Sequence, residues 1–500
     1  MAVIKGRTFD GKNVEWEDKI IGSGAMKDVY FSPDRSYVVC FYKNAQDFQA
    51  KERLQMIMGK YKESIFNQDG GKYWQDLFCW PSSMIEHNGK LGIVAPTYSK
   101  RFFFEYGSIN NDALGIKGKE KEGKWFAAPK LRNRHVDPKE LGDWLNHIKI
   151  CLLIARAARR MHAAGLAHSD LSYKNVLVDP SGGFACVIDV DGLVVPGKYP
   201  PDVVGTPDFI APEVVKTSHL KKDDPARCLP RRETDLHALA VLIYMYLLYR
   251  HPLRGGKVYD INDEQRDELL SMGEKALFVE HPADKSNHIR LKNAEKWELP
   301  WADTAKLPYS LTGPYLKKLF ERAFIDGLHN PSARPSANDW EIALVKTVDL
   351  IQPCQNPKCA QKWFVFDNST SPKCPFCGTP YKRKLPVLNL YSSRSKGAFR
   401  PDDHRIMVWS GQSLFWWQAN RLIAPNEKLS DAHKKRVGYF VLHKQSWWLV
   451  NEALPDLTDK TGGETKPIAI GDKIELTDGK QILLDRNEGG RLVVVQMVEG

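Results

Sequence analysis

The segment that most constrains this chain of 500 residues is His168–Asn175, together with the apolar runs that follow it. It places Asp170 and Asn175 in a predicted turn between a long helix and a short strand, and a second apolar run ends at Asp189. Phosphoryl transfer needs a carboxylate to accept a hydroxyl proton and further oxygen ligands for Mg²⁺. The spacing therefore predicts a phosphoryl-transfer site. An Asp-Asn turn with capping roles is the alternative, and the ordered set of motifs disfavours it.

Two features nearer the start of the chain suit the same chemistry. The glycines of Gly22-Ser23-Gly24, followed by Val29, lie between two strand-like runs, where backbone amides can approach phosphate oxygens closely. Lys43 ends an apolar strand-like run, and at this distance from the glycines it can reach phosphates as a point charge. Each feature alone also fits a bland alternative, a tight hairpin for the glycines and a solvent-facing strand end for the lysine.

The periodicity of apolar residues divides the first 350 residues into two parts. Residues 1–98 are predicted to be mainly strands with one long helix over residues 47–66. From Asp137-Pro138, which has the residues of a helix start, the pattern becomes helical. The run 234–250 is apolar nearly all round and predicts a central helix. We therefore expect a strand-rich lobe, 1–98, and a helix-rich lobe, 99–350.

Residues 14–350 resemble a eukaryotic-like protein kinase domain of the kind found in bacteria. Besides the motifs above, the stretch Gly205–Glu213 resembles the end of a kinase activation segment. Asp235 is similar to the buried aspartate that opens the central helix, and Arg334 to the arginine that pairs with Glu213. The resemblance implies a two-lobed kinase fold and a protein kinase that uses ATP and Mg²⁺. Thr206 favours serine or threonine as acceptor over tyrosine.

The resemblance also implies a role for each site residue. Asp170 would orient and deprotonate the acceptor hydroxyl, while Lys174 would neutralise charge on the transferred group. Lys43 would bind the phosphates, and Glu52, in preference to Glu63, would orient it. The magnesium ligands would be Asn175 and Asp189. The nucleotide would be held by Gly22, Ser23, Gly24, Val29, Lys43, Asn175 and Asp189.

Three departures from the family pattern stand out. The third glycine of the loop is Lys27, the usual D-F-G is Asp189-Val190-Asp191, and Ser169 replaces the arginine before the catalytic aspartate. Because that arginine is the usual partner of a phosphorylated activation segment, we expect activity without phosphorylation there, where Tyr199 and Thr206 are the hydroxyls. The alternative to an active kinase is a pseudokinase scaffold that binds nucleotide and partner proteins without turnover.

Four cysteines after residue 353 predict a metal site. Cys354 and Cys359 enclose four residues, Cys374 and Cys377 enclose two, and 14 residues separate the pairs. Thiolate pairs at these spacings fit tetrahedral Zn²⁺. We predict a structural zinc ribbon over residues 351–382, which metal would help to fold. Four free buried cysteines are the alternative.

The last part of the chain has another composition. A basic linker is predicted for residues 383–400, and the alternating apolar runs of 401–500 predict a small β-sandwich. The tail weakly resembles a forkhead-associated (FHA) domain through Ser430 and His433, although Arg421 lacks that family's preceding glycine. A packing or docking domain is the alternative. The whole chain is thus predicted to be multidomain α+β, a two-lobed kinase fold followed by a zinc ribbon and an all-β sandwich.

Charge and hydropathy bound the partners. The net charge is +11, from 72 basic and 61 acidic residues spread along the chain. That spread favours protein substrates over nucleic acid, which stays an alternative. No apolar run reaches the roughly 18 residues of a membrane span, and the clustered cysteines suit a reducing compartment, so we expect a cytoplasmic protein. The architecture resembles kinases of tellurite-resistance and stress operons, which implies a von Willebrand A-type protein and a PP2C-type phosphatase as partners.

Overall fold

The computed structural model describes residues 2–67, 70–195, 198, 205–221, 223–367, 372–395 and 398–499. The chain divides into two compact units. Unit 1 comprises Met1–Gly142, Asn146–Tyr309 and Leu319–Glu341, and unit 2 comprises Asp143–Leu145, Ser310–Lys318 and Ile342–Gly500. Within the described stretches, no helix combines the length and the apolar character that a membrane crossing requires.

The first part of unit 1 is a twisted antiparallel sheet with helices on one side. Strands β3, β4, β5, β7 and β6 lie side by side in that order, and β1 pairs with β2 in a separate hairpin. The elements in chain order are β1 (Val3–Arg7), β2 (Asn13–Glu17), β3 (Ile20–Ser23), β4 (Lys27–Phe31), β5 (Tyr37–Tyr42), α1 (Phe48–Met56), α2 (Lys62–Phe66), α3 (Gly71–Leu77), β6 (Ser83–His87) and β7 (Lys90–Pro96).

Strand β5 separates two small apolar cores because its side chains alternate between the faces of the sheet. Val39 and Phe41 pack in one core with Trp16. Cys40 and Tyr42 pack in the other core with Leu54 of α1. The run 37–42 is a strand, as the sequence predicts. It occupies the centre of the sheet, and its pleat decides which side chains face α1.

The rest of unit 1 is mainly helical. The hairpin β8–β9 is antiparallel, and α9 is buried along almost its whole length, which fits its apolar circumference. The elements from residue 97 onward are α4 (Ile109–Asp112), a turn with left-handed backbone at Asn110 and Asn111, α5 (Lys124–Ala127), α6 (Pro129–Arg134), α7 (Trp144–Ala163), β8 (Val176–Asp179), β9 (Phe184–Val187), α8 (Pro212–Lys216), α9 (Arg232–Leu248), α10 (Glu264–Leu269), α11 (Pro314–Glu321) and α12 (Ala337–Val348). The first residues of α7, most of α11 and the second half of α12 belong to unit 2.

The long helix predicted to begin at Asp137-Pro138 begins later. Asp137 caps a short 3-10 turn, Pro138–Glu140, and accepts a hydrogen bond from the Lys139 backbone N–H. Gly142 then adopts φ +63°, a left-handed conformation that favours glycine and ends the turn. A Cβ at this position would lie 2.1 Å from the Pro180 carbonyl oxygen. The helix proper, α7, therefore starts at Trp144, and the capping signal belongs to the preceding turn.

Unit 2 contains a small hairpin, β10 with β11, and two antiparallel sheets that share one apolar core. One sheet has the order β13-β12-β21-β20-β17-β18, and the other β14-β15-β16-β19. The elements are β10 (Ile351–Pro353), β11 (Trp363–Val365), β12 (Leu385–Ser395), β13 (Ala398–Met407), β14 (Ser413–Phe415), α13 (Trp416–Ala419), β15 (Arg436–His443), β16 (Ser446–Asn451), β17 (Thr458–Asp459), β18 (Lys466–Pro467), β19 (Lys473–Glu475), β20 (Gln481–Leu483) and β21 (Arg491–Val498).

The prediction of a basic linker over residues 383–400 is wrong. Strand β12 runs through most of it and pairs with β13 on one side and β21 on the other. The first half of β12 is buried, with Val387, Leu388 and Leu390 in the core. Basic residues stand on both sides of this apolar run, so the composition of the whole segment resembles that of an exposed linker.

A buried ion pair ties α8 to the loop before α12, as the sequence predicts. The Arg334 guanidinium donates to both carboxylate oxygens of Glu213, each at 2.8 Å. Arg334 also donates to the carbonyl oxygens of Gly327, Leu328 and Glu233. The predicted pairing of Arg334 with Glu213 is confirmed.

We expect Arg334→Met to destabilise unit 1 by about 3 kcal/mol, because it leaves a largely buried carboxylate without its cation. The matched control is Lys5→Met, whose exposed partner is Glu15 and whose loss costs less than about 1 kcal/mol. Urea unfolding followed by tryptophan fluorescence measures both. Equal unfolding midpoints for the two variants would show that the buried pair does not stabilise this unit.

Candidate active site

The loop between α7 and β8 gathers the predicted catalytic residues by hydrogen bonds. The Asn175 side-chain amide donates to the Asp170 carbonyl oxygen at 2.8 Å and to Asp170 Oδ2 at 2.9 Å. Asp170 Oδ1 accepts a hydrogen bond from the Thr206 backbone N–H at 2.6 Å. Both carboxylate oxygens of Asp170 are therefore held in place. The amide oxygen is the Asn175 atom suited to a cation.

Asp235, in the first turn of α9, anchors this loop from below. Its Oδ2 accepts hydrogen bonds from the His168 backbone N–H at 2.7 Å and from His162 Nε2 at 3.1 Å. Its Oδ1 accepts from the Ser169 backbone N–H at 3.2 Å. Because Asp235 is buried, these bonds satisfy a carboxylate that water could not reach. The predicted likeness to the aspartate that opens a central helix thus has a structural basis.

Asp189 follows β9 and lies beside the same loop. The Ile188 backbone N–H donates to the Asn175 carbonyl oxygen, and His168 Nε2 bonds the Ile188 carbonyl oxygen, both at 3.0 Å. Asp189 itself has φ +59°, which turns the chain sharply at this point. The structure therefore brings Asp170, Asn175 and Asp189 together on two adjoining loops.

A cleft opens to solvent above these loops, and its empty space, the solvent at its mouth included, is about 520 Å³. Two acidic residues of the D-V-D segment and Asp170 line it together with side chains from the sheet and from α1. Its lining residues are Met26, Lys27, Tyr42, Arg53, His168, Ser169, Asp170, Asp189, Asp191 and Gly192. Acidic oxygens and two cationic side chains thus share one cavity, which suits a polyanion that binds together with a divalent cation.

Lys27 is the cation nearest the acidic residues. Its Nζ lies 2.8 Å from Asp189 Oδ1 and 2.8 Å from both carboxylate oxygens of Asp191. The Tyr42 hydroxyl donates a hydrogen bond to Asp191 Oδ2. Lys27 and Tyr42 are direct partners across β4 and β5, so the sheet register places both side chains at the D-V-D segment.

The charges of this cluster stabilise one another. Burial by itself would lower the pKa of Lys27, but Asp191 and Asp189 outweigh it and raise the pKa above its usual value. Burial by itself would raise the pKa of Asp191, but the Lys27 ammonium outweighs it and lowers the pKa. Burial, with the nearby Asp191 carboxylate, raises the pKa of Tyr42. Lys27 and Asp191 are therefore charged at neutral pH, and Tyr42 keeps its proton.

Lys43 lies on the other side of the sheet edge. Its Nζ donates to the Gly24 carbonyl oxygen at 2.6 Å and lies 3.6 Å from Asp28 Oδ1. Asp28 in turn accepts a hydrogen bond from the Ser23 hydroxyl at 2.7 Å. Lys43 therefore contacts the turn between β3 and β4. Its predicted role at the phosphates stays a prediction.

The remaining predicted residues are spread over the unit. The glycine turn contains Gly22, Ser23 and Gly24, and Val29 follows on β4 against the Cys40 core. Glu52 lies 3.5 Å from Lys198, whereas Glu63 is exposed in α2. Lys174 is exposed in the catalytic loop. Tyr199 lies outside the described residues. Within the described part of the chain, the ion pair of Lys43 is with Asp28 and not with either glutamate.

Sequence reasoning missed Tyr42 and Arg53 and treated Lys27 and Asp191 only as departures from a pattern. Strand alternation held the missing signal, because Cys40 and Tyr42 share a face that Lys43 cannot share. Which of two neighbouring residues faces a cavity depends on strand phase, and the lysine position alone does not fix it.

In unit 2 the four predicted cysteines cluster. Their sulfur atoms all lie within 4.8 Å of one another, with Cys354 and Cys377 at 3.5 Å and Cys359 and Cys374 at 3.9 Å. Burial alone would raise the pKa of Cys377, but hydrogen bonds with Thr379 outweigh it and lower the pKa to about 6. The Asn356 backbone N–H also donates to Cys354 Sγ at 3.4 Å. Such N–H···S contacts suit thiolate ligands of a metal ion.

The comparison with known proteins agrees with the geometry of unit 1. The sequence model of the protein kinase domain matches residues 130–339. That range contains Asp170, Asn175 and Asp189 and begins after Lys27 and Lys43. The similarity to the protein kinase domain therefore covers the loop that contains Asp170 and the helices that support it.

Three relatives are named protein kinases. The chain is 32% identical over 140 residues to the death-associated protein kinase dapk-1 of Caenorhabditis elegans, which is 27% of this chain and 9% of that protein. It is 30% identical over 152 residues to the serine/threonine-protein kinase PSK2 of Saccharomyces cerevisiae, 29% and 13% of the two chains. For PkaB, a serine/threonine-protein kinase of Streptomyces coelicolor, identity is 30% over 118 residues, 21% and 25% of the two chains. The chain thus spans a quarter or less of these relatives, and the matches support a serine/threonine protein kinase.

We expect Asp235→Asn to cost about 1–3 kcal/mol of stability, because an amide N–H would replace one acceptor and leave a buried donor unpaired. The amide hydrogens of His168 and Ser169 should then exchange faster with deuterium. Glu233→Gln, on the exposed side of the same helical turn, is the matched control. Unchanged exchange in Asp235→Asn would contradict the anchoring role.

Proposed function

We propose that this chain is a protein kinase that uses ATP and Mg²⁺ and transfers the γ-phosphate to serine or threonine hydroxyls of protein partners. The observation that carries the proposal is the arrangement of Asp170, Asn175 and Asp189 on two adjoining loops, with Asp170 and Asp189 lining one cavity. The similarity of residues 130–339 to the protein kinase domain supports it. The cavity lining, which combines carboxylates with the cationic side chains of Lys27 and Arg53, suits a nucleotide that carries a metal ion.

Each site residue has a task in this proposal. Asp170 accepts the proton of the acceptor hydroxyl, and its carboxylate is aimed by the Thr206 N–H and the Asn175 amide. Asn175 and Asp189 offer the oxygen ligands that Mg²⁺ prefers. When bound, that ion neutralises charge on the phosphates. The exposed Lys174, four residues after Asp170, would stabilise negative charge on the transferred group.

We expect Asp170→Asn to lower kcat for transfer of ³²P from γ-labelled ATP to myelin basic protein by about 10²–10⁴-fold, the usual contribution of a general base. The new amide oxygen can still accept the Thr206 N–H, whereas the new amide N–H replaces the oxygen that accepts from the Asn175 side chain. The unfolding temperature of the variant is therefore measured beside its activity. ADP affinity, measured by titration calorimetry, should change little.

Asp10→Asn is the matched control, because Asp10 is an acidic residue of the same unit that pairs with the exposed Lys12 and lies outside the cavity lining. Absence of transfer by the unmodified chain, with nucleotide still bound, would overturn the kinase proposal in favour of a pseudokinase scaffold. Label transferred from α-labelled ATP would reveal nucleotidyl transfer instead.

We also propose that the four cysteines bind one structural zinc ion. Four thiolates at about 2.3 Å from a tetrahedral ion lie about 3.8 Å apart. The measured 3.5 and 3.9 Å separations fit that geometry. The short β10–β11 hairpin and the nearby buried Cys374 suit a fold-stabilising site with no open position.

We expect plasma emission spectrometry to find about one zinc per chain, since four thiolates complete one tetrahedral site. Cys374→Ser should abolish the bound zinc and lower the unfolding temperature of unit 2, because metal binding contributes folding energy to so small a module. Cys228→Ser, at a free cysteine outside the cluster, is the matched control and should leave both unchanged. Full zinc occupancy in Cys374→Ser would contradict the site.

The wider context of the kinase is part of the proposal. We propose a bacterial, cytoplasmic kinase of a tellurite-resistance or stress operon, with a von Willebrand A-type protein and a PP2C-type phosphatase as partners. No disulfide joins any of the nine cysteines, all of which lie within the described residues, and this suits a reducing compartment. The two sheets of unit 2 would be an FHA-like sandwich, in which His433 N–H donates to Ser430 Oγ and Arg421 to Ser392 Oγ. Mapping phosphosites on the operon neighbours after incubation with the kinase, ATP and Mg²⁺ tests this assignment.

A further inference from the structure

The cavity of unit 1 contains a lysine that the motif analysis did not assign. Lys27 Nζ makes three contacts of 2.8 Å, all with the carboxylates of Asp189 and Asp191. Lys43, to which the resemblance gives the phosphates, is absent from the cavity lining. Two lysines therefore compete for one chemical role, and the structure distinguishes their positions.

Strand phase explains why Lys43 cannot face the cavity as the sheet stands. Tyr42 and Cys40 point toward the core that includes Leu54 of α1, while Phe41 points toward the opposite core. Lys43, one residue beyond Tyr42, follows Phe41 in direction and reaches the Gly24 carbonyl oxygen instead. The side chain at the cavity end of β5 is therefore the Tyr42 phenol, which carries no positive charge.

Lys27 supplies the positive charge that Tyr42 cannot supply at this end of the cavity. It is the direct partner of Tyr42 on the neighbouring strand β5. Lys27 and Val29 are two residues apart on β4, so their side chains face the same side of the sheet. An ammonium has three donors on a flexible stem and acts as a point charge toward phosphate. Arg53, from α1, lines the same cavity and adds a second positive side chain.

The two carboxylates at Lys27 differ in exposure, and this difference separates their tasks. The Asp191 side chain is 7% exposed and also accepts a hydrogen bond from Tyr42, so it is a fixed anion within the protein. The Asp189 side chain is 51% exposed and opens toward the cavity. Asp191 can therefore keep the ammonium in place while Asp189 turns to a metal ion.

We propose that Lys27, and not Lys43, is the lysine that binds the nucleotide phosphates, with Asp191 as its positioning residue; this rests on the proposed kinase activity. Tyr42 supports Asp191 from the neighbouring strand. Lys43 braces the glycine turn through Gly24 and Asp28. The residue that orients the phosphate-binding lysine is thus Asp191 of the D-V-D segment and not Glu52 of α1.

The test is chemical labelling of the unmodified full-length chain with a biotin acyl phosphate of ATP. A lysine amine next to the bound phosphates attacks the acyl carbonyl, an amide bond forms, and the nucleotide leaves with its phosphates. Mass spectrometry should find the acyl group on Lys27, at a level that excess ATP suppresses. Lys43 should be labelled weakly and without ATP protection. ATP-protected labelling of Lys43 with an unlabelled Lys27 would overturn the assignment.

Variants give a second, independent measurement. Lys27→Met should raise the ATP KM and the calorimetric Kd for Mg-ADP by about tenfold to a hundredfold, the cost of one hydrogen bond to a charged group. Lys27→Arg should recover part of this loss. Asp191→Asn should raise the ATP KM more than it lowers kcat, and Lys43→Met should change the Kd less than Lys27→Met does.

The outcomes separate this inference from the kinase proposal. Phosphate transfer that depends on Asp170, with ATP-protected label on Lys43, would leave the kinase and remove the role of Lys27. Tighter Mg-ADP binding by Lys27→Met would also overturn it, since Lys27 would then only block the metal ligands. Failure of the unmodified chain both to bind nucleotide and to transfer phosphate would overturn both proposals.

Discussion

The meeting of Lys27 with Asp189 and Asp191 is the interaction on which the site depends. Three carboxylates line one cavity, and without a cation their mutual repulsion would disfavour the arrangement. Lys27 supplies that cation from the second strand of the sheet, and Tyr42 adds a hydrogen bond from the third. The strand-rich and helix-rich parts of unit 1 are thus joined at the point where a nucleotide would bind.

A second constraint acts from the helical side. Asp235 of α9 accepts backbone hydrogen bonds from the loop that presents Asp170, and Asn175 and Thr206 fix the Asp170 carboxylate. The buried α9 therefore positions the loop that contains Asp170, while the sheet positions the Lys27 ammonium. Breaking either anchor would move one half of the site relative to the other.

The predictions agree best with the structure where neighbouring residues alone determine the local structure. The strand 37–42, the buried helix of 234–250 and the clustering of the four cysteines follow from patterns within short windows, whereas the pair of Arg334 with Glu213 follows from the resemblance to protein kinases. The basic linker failed because strand β12 takes its identity from its neighbours β13 and β21, and flanking charge concealed its apolar half. The start of α7 failed because Gly142 had no sequence signature of its positive φ.

The sequence by itself determined the kinase-like order of motifs, the candidate residues Asp170 and Asn175, and the paired spacing of the four cysteines, because these depend on residue type and separation along the chain. Only the tertiary structure decided which lysine faces the cavity. Lys27 and Lys43 are both close to the glycine turn in sequence, but the pleat of β5 directs Tyr42 inward and Lys43 away, and the register of β4 against β5 carries Lys27 to carboxylates more than 160 residues distant. Side-chain direction on a strand follows from the pairing of the whole sheet, which no single motif contains.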